Sequence, residues 1–199
     1  ERGIEPQRSE SVGQGPAEQR LPGLARHVQH HPGGEDEGHP VGEPALNLVY
    51  VGTGNAVPHA RFYRSNNEGD NLFVCSIVAL NPDTGEYAWH YQVNPGETWD
   101  YNAAMDIELA TLEINGKQRP VILHAPKNGF FYIIDRETGK LLSAEKFGKV
   151  TWAERIDLAT GRPVENPAAR FPDGKPFLMY PGPIGAHNVQ AMSFNPKTR

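Results

Sequence analysis

The sequence predicts an all-β fold, antiparallel sheets recurring around an axis as in part of a β-propeller, preceded by a tail that builds no core. Three observations predict it. Short apolar runs alternate with turn clusters, one turn motif recurs four times, and the composition breaks near residue 44.

Residues 1–43 are rich in Gly, Pro, Glu, Arg, Gln and His, with isolated aliphatics and no periodicity. A segment of that kind buries too little apolar surface to offset about 1 to 2 kcal/mol of backbone ordering cost per residue, so disorder is expected. "HVQHH" (His27 to His31) resembles a metal cluster but has no neighbouring carboxylate or thiol ligand. All 18 aromatic residues lie at or beyond Tyr50. The second segment, residues 44–199, must therefore carry whatever core the chain has.

From Ala45 onward "LNLVYVGTG", "NLFVCSIVAL", "YAWHYQV", "IELATLEI", "PVILHAP" and "GFFYIIDR" are strand-length, rich in Val, Ile, Phe and Tyr, and bounded by Gly, Pro, Asn or Asp. No helical stretch of ten or more residues competes with them. The turns between them repeat. "NPDTGEYAW", "DRETGKLLS", "DLATGRPVE" and the shorter "NPKTR" share an Asp/Asn-x-x-Thr beginning, followed by Gly in the first three. The acid or amide accepts turn hydrogen bonds and Gly supplies the positive φ that closes a hairpin. Recurrence of this hairpin predicts successive four-stranded sheets, with Trp89 docking on a neighbouring one.

The formal charge of -5 offers no basic stripe for nucleic acid, and no apolar run approaches the roughly 20 residues of a membrane span. Cys75 is the only cysteine, in an apolar run, and reads as a small buried hydrophobe; no disulfide can form within the chain. No signal-peptide h-region is found at the N-terminus.

One stretch, "NPGETWDYNAAMD", sets an acid, Asp100, between Trp99 and Tyr101. An Asp after Pro-Gly can simply cap a turn. Alternatively the rings wall a pocket for a working base. With "LNLVYVGTGN", "DNLFVCSIVALNPDTGEYAWHYQVNPGETWDYN", "APKNGFFYIIDRETGKLLSAEKF", "VTWAERIDLATGRPVE" and "GAHNVQAMSFNPKTR", the chain from residue 44 to 199 resembles the pyrroloquinoline quinone (PQQ) dependent alcohol dehydrogenases of the methanol and ethanol dehydrogenase type. That resemblance implies a central fragment of an eight-bladed propeller with tryptophan-docking motifs.

The resemblance also implies roles. Asp100 matches the base that takes the alcohol hydroxyl proton while hydride moves to the quinone C5 carbon. Lys127, in "APKNG", matches the cation beside the quinone oxygens, and lysine there leans toward the ethanol-type branch. Asn55, ending "GTGN", matches a calcium ligand, with Asp100 as a further ligand and a glutamate upstream supplying another. Asn188, in "GAHN", matches a polar contact to PQQ, with Asn128 and His187 as weaker neighbours; a turn-forming role for Asn188 stays equally open. Asn102 stands where lanthanide-using relatives carry a second aspartate, which favours calcium. Val189 stands where relatives usually carry Trp.

The resemblance further implies a calcium ion polarising the C5 carbonyl, a primary alcohol substrate, a cytochrome c electron acceptor, a periplasmic location, and haem c in a part of the protein outside these residues. The floor tryptophan, the glutamate ligand and a vicinal disulfide of the family have no counterpart in residues 1–43, a segment that reads like out-of-frame translation of a GC-rich gene. The fragment alone is therefore expected to be inactive and aggregation-prone, with open sheet edges. Two rival readings are a non-catalytic propeller serving as a scaffold for protein-protein interaction, and a glycosidase pairing Asp100 with Asp106 or Glu97.

Overall fold

The computed structural model describes residues 41–198. The expected disordered tail lies outside the described residues as far as residue 40, and so does "HVQHH". Three residues assigned to that tail, Val41–Glu43, instead form an edge strand, β1. Its Glu43 carboxylate is buried against the Arg136 guanidinium at 2.9 Å, which ties the strand to the following sheet.

The first sheet is a meander of β1, β2 (Leu48–Gly52), β3 (Ser76–Leu80) and β4 (Tyr87–Gln92), each strand hydrogen-bonded to the next. The second repeats the plan with β5 (Ile107–Ile114), β6 (Lys117–His124), β7 (Phe130–Asp135) and β8 (Leu141–Lys146). A two-stranded sheet, β9 (Ala153–Asp157) with β10 (Arg162–Glu165), follows. Two complete propeller blades and a hairpin are thus in place. The β5–β6 loop is Asn115-Gly116, both at positive φ, as a two-residue hairpin turn requires.

The repeated turn motif makes the hairpins. Asn81, Asp135 and Asp157 each accept through Oδ1 from the main-chain N–H groups two and three residues ahead, at 2.8 to 3.1 Å. Each hairpin then closes with a glycine N–H donated back to the carbonyl of the same Asn or Asp, from Gly85, Gly139 and Gly161. The fourth copy, at Asn195, makes the same side-chain bonds to Lys197 and Thr198.

These turns are also docking platforms. A Cβ at Gly139 would stand 2.5 Å from Cε3 of Trp89, so the indole from the first sheet packs directly on the turn of the second, as expected. Tyr91, two residues further along β4, donates its hydroxyl to the Gly161 carbonyl in the turn of the third sheet at 2.9 Å. Tyr50, Trp89, Tyr132, Ile134, Trp152 and Ile156 belong to one buried cluster that runs across all three sheets.

The expected strand "NLFVCSIVAL" is only half a strand. Asn71 and Cys75 have φ of 54° and 51°, a left-handed conformation that breaks the extended chain, and the strand begins only at Ser76. The chain between β2 and β3 instead makes an excursion containing a five-residue helix, α1 (Arg61–Ser65), with no side-chain N-cap. Tertiary bonds hold it: the Arg64 guanidinium donates to the carbonyls of Pro58, His59 and Glu97.

Candidate active site

The loop after β4 carries Asp100, and its conformation comes from Glu97. The Glu97 side chain is fully buried, and its Oε1 accepts from the main-chain N–H groups of Trp99 and of Tyr101, the latter at 3.0 Å. Asp100 sits between those two donors with a φ of 67°. Burial pushes the Glu97 carboxyl above its ordinary range, against the pull of the two N–H groups. Arg170 braces the same loop, donating to the carbonyls of Gly96 and Pro95 while its guanidinium lies 4.2 Å over the Trp99 ring.

The two rings beside Asp100 do not form the walls of a pocket around its carboxylate. Trp99 and Tyr101 pack against Trp152 in the core, with ring centroids 5.3 and 5.9 Å from it, and the Asp100 side chain stays 35% exposed. The indole donates to the Ala169 carbonyl and the phenol to that of Pro181. The left-handed backbone turns Asp100 out of the cluster that anchors its neighbours.

Lys127 is what the carboxylate meets. Its ammonium lies 3.1 Å from the Asp100 main-chain carbonyl and 3.5 Å from Oδ2, and its side chain is only 9% exposed. Gly185 makes room for that buried stem: a Cβ there would stand 2.6 Å from Lys127 Cγ. The Ala186 N–H donates to the Lys127 carbonyl, so the "GAHN" segment lies directly on the lysine. A lysine with two of three N–H directions used retains one for a further acceptor.

The remaining expected site residues are less committed. Asn55 follows Thr53 and Gly54, whose carbonyls accept from Ala103 and Cys75, which places it on the loop bordering residues 100–103. Asn188 donates its amide to the Ile184 carbonyl at 3.0 Å, a turn contact. Among the described residues no hydrogen bond joins either of them to Asp100 or Lys127. Asn128 is fully buried and its amide is spent inside, on Asn94, Tyr132 and the Phe130 N–H. Both ring nitrogens of His187 face main-chain carbonyls, those of Ala125 and Gln190. Those contacts make Asn128 and His187 structural.

Among the described residues no three His, Cys, Asp or Glu side chains cluster as a metal site. The oxygens of Asp100 and Asn55 would therefore be a share of a calcium shell that takes six to eight. Asp106, one rival's second carboxylate, accepts from the Met192 N–H, and Glu97 is taken by the loop. Cys75 is buried, and desolvation pushes its thiol up, away from nucleophilic use.

Sequence reasoning missed His59. Its Nδ1 lies 3.8 Å from Asp100 Oδ1, and its side chain is half exposed. A lone His in "AVPHARF" carries no local signal; its main-chain carbonyl is held near Asp100 by Thr98 Oγ1, which donates to it at 2.9 Å, and by the Arg64 guanidinium.

The family model for the PQQ glucose/ethanol/alcohol dehydrogenase β-propeller domain matches residues 41–151. The chain belongs to this family of quinoprotein dehydrogenases. It is 60% identical over 156 residues to the quinohemoprotein alcohol dehydrogenase ADH IIB of Pseudomonas putida, a match covering 78% of this chain and 22% of that protein. It is 50% identical over 141 residues to the 1-butanol dehydrogenase (cytochrome c) of Thauera butanivorans, covering 71% of this chain and 20% of that one. The crystal structure of the quinohemoprotein alcohol dehydrogenase from Comamonas testosteroni superposes with a TM-score of 0.77 at 51% identity, over 80% of this chain and 24% of the other. The chain thus spans about a fifth of the length of the curated quinoprotein relatives it matches.

Proposed function

We propose that this chain is a central part of a PQQ-dependent alcohol dehydrogenase that oxidises primary alcohols to aldehydes, with Asp100 as base and Lys127 as the cation beside the cofactor. The observation that carries the reading is the Asp100–Lys127 pair. A nearly buried ammonium, 3.5 Å from a partly exposed carboxylate, sets a proton acceptor next to a fixed positive charge. PQQ, when bound, supplies the hydride-accepting quinone.

The residues of this chain do the rest. Lys127 engages Oδ2 and leaves Oδ1 as the oxygen of Asp100 that takes the hydroxyl proton. The third N–H of Lys127 stabilises negative charge that builds on a neighbouring acceptor. Asn55 and Asp100 contribute oxygens to a calcium ion, and Asn102 in place of a second carboxylate favours a divalent over a trivalent metal. Asn188 is the weaker proposal, a PQQ contact through the amide oxygen that its turn bond leaves free.

Electron transfer to cytochrome c is inferred from the relative named for cytochrome c, and a periplasmic location from the family resemblance alone. Haem c, as in quinohemoprotein relatives, would sit outside these residues. No helix among the described residues is long and apolar enough to cross a membrane. Two blades and a hairpin do not surround an axial ligand, which supports inactivity of the isolated chain. The test is Asp100→Asn in a full-length enzyme carrying this segment, loaded with PQQ and calcium. Dye reduction with ethanol is lost and the cofactor retained; unchanged turnover removes Asp100 from its role.

A further inference from the structure

Glu97 is an expensive residue to place where it is. A fully buried carboxylate loses its hydration; no lysine, arginine or histidine among the described residues forms a direct ion pair with it, and the nearby charges of Arg64 and His59 offset that loss only in part. Its Oε2 has no hydrogen-bond partner among the described residues. All of its bonding goes through Oε1 into the two N–H groups on either side of Asp100.

We propose that Glu97 is a positioning residue for the reaction: its carboxylate pins the main-chain arch from Trp99 to Tyr101 and so aims Asp100 at Lys127. The proposal rests on the reading of Asp100 as the base. A residue with a Cβ takes a left-handed φ at a cost of about 1 kcal/mol and holds it only where its surroundings dictate it. Around Asp100 the N–H groups of Trp99 and Tyr101 converge on one oxygen atom, and that convergence fixes the 98–99 and 100–101 peptide planes, holding the 99–100 peptide between them.

The arch is anchored at every other point. Arg64 donates to the Glu97 carbonyl, Arg170 to those of Gly96 and Pro95, Trp99 to that of Ala169, and Tyr101 to that of Pro181. With its ends held, the apex can still tilt about Asp100, and Glu97 Oε1 restrains that tilt through the Trp99 and Tyr101 N–H groups. The outcome is that Asp100 presents both its carbonyl and its Oδ2 to the same ammonium. Without the Glu97 oxygen the two N–H groups would need other acceptors, and the apex would relax toward an ordinary φ that swings both oxygens off Lys127.

The experiment uses a full-length enzyme carrying this segment, loaded with PQQ, and compares Glu97→Gln with Glu97→Met. Gln retains an oxygen acceptor at the same reach; Met fills the volume and offers no such acceptor. Amide hydrogen exchange is read at Trp99 and Tyr101, together with kcat, KM and cofactor absorbance. Glu97→Met loses protection at those two amides and loses about 10- to 100-fold in kcat, the effect of a misplacement on the order of 1 Å, with little change in KM. Glu97→Gln keeps protection and stays within about threefold of wild type, because the arrangement needs an acceptor and not a charge.

Full turnover in Glu97→Met with protection lost overturns the inference, as does a Glu97→Gln as impaired as Glu97→Met. If Glu97→Met does not fold, the wild type and Glu97→Gln decide: Trp99 and Tyr101 amides exchanging like free loop amides, or a kcat loss of tenfold in Glu97→Gln, overturn it. The Asp100→Asn control separates the two levels. Turnover surviving in Asp100→Asn sinks the base assignment, whereas turnover lost there but kept in Glu97→Met sinks only the role of Glu97.

Discussion

The Lys127 ammonium contacts Asp100 twice, through the main-chain carbonyl at 3.1 Å and through Oδ2 at 3.5 Å, although 27 positions separate them in the chain. One cation therefore reports on both the backbone and the side chain of the same acid. The contact joins the loop after the first sheet to the β6–β7 loop of the second.

Removing that cation tests the electrostatics directly. Lys127→Met in a full-length enzyme keeps most of the buried stem against Gly185 and deletes the charge. We expect kcat for alcohol to fall by about 10²- to 10³-fold, the usual cost of losing a preorganised donor at a developing charge. Steady-state kinetics with circular dichroism as the fold control makes the measurement, and a loss under threefold contradicts the assignment.

A pH prediction follows from His124. The ring is fully buried at the end of β6, Nδ1 faces the Asp106 carbonyl, and Nε2 has no partner among the described residues. Desolvation drops its pKa from 6.5 to about 4. A depressed value means the unfolded chain binds this proton first. His124 thus contributes no penalty above pH 6.5, and stability falls as pH drops from 6.5 toward 4, by on the order of 3 kcal/mol at most. Burial pushes Glu97 and Glu108 upward, which gives the opposite slope above about pH 4.5, so the comparison must be by difference. Denaturant melts of wild type and His124→Gln across pH 4 to 7 should show a shallower acid decline in the variant.

Sheet-to-sheet docking predicts a third outcome. Gly139→Ala places a methyl 2.5 Å from the Trp89 ring and imposes a left-handed φ of 71° on alanine. Gly174→Ala imposes a similar φ, 64°, with nothing within 4 Å. The second substitution isolates the backbone cost, about 1 kcal/mol. The first should cost a further 1 to 3 kcal/mol or so from overpacking. Equal melting temperatures for the two variants would mean that the indole does not bear on the turn.

Much of this fold was legible because its strands announce themselves. "IELATLEI" and "GFFYIIDR" match β5 and β7 to within a residue or two, and the Asp-x-x-Thr-Gly turns locate the β7–β8 and β9–β10 hairpins. What stayed hidden is set by distant contacts. Helix α1 has no local cap and depends on Arg64 reaching the Glu97 carbonyl. Leu72 to Cys75 read as strand by composition, yet the left-handed Cys75 overrides that pattern. At the site, Asp100 and Lys127 stood out through their motifs, whereas Glu97 entered only as a possible second carboxylate of the glycosidase rival, with no sign of its bonds to the loop. Its bonds go to backbone atoms, which leave no mark on residue type.

Trp89 and Tyr91 occupy alternate positions on one face of β4, and each grips the turn of a different later sheet. A slip of that strand by a single residue would carry both side chains to the opposite surface and release both grips together. Misthreaded arrangements thus forfeit two tethers at once, and β4 acts as a ruler against which the successive sheets are aligned.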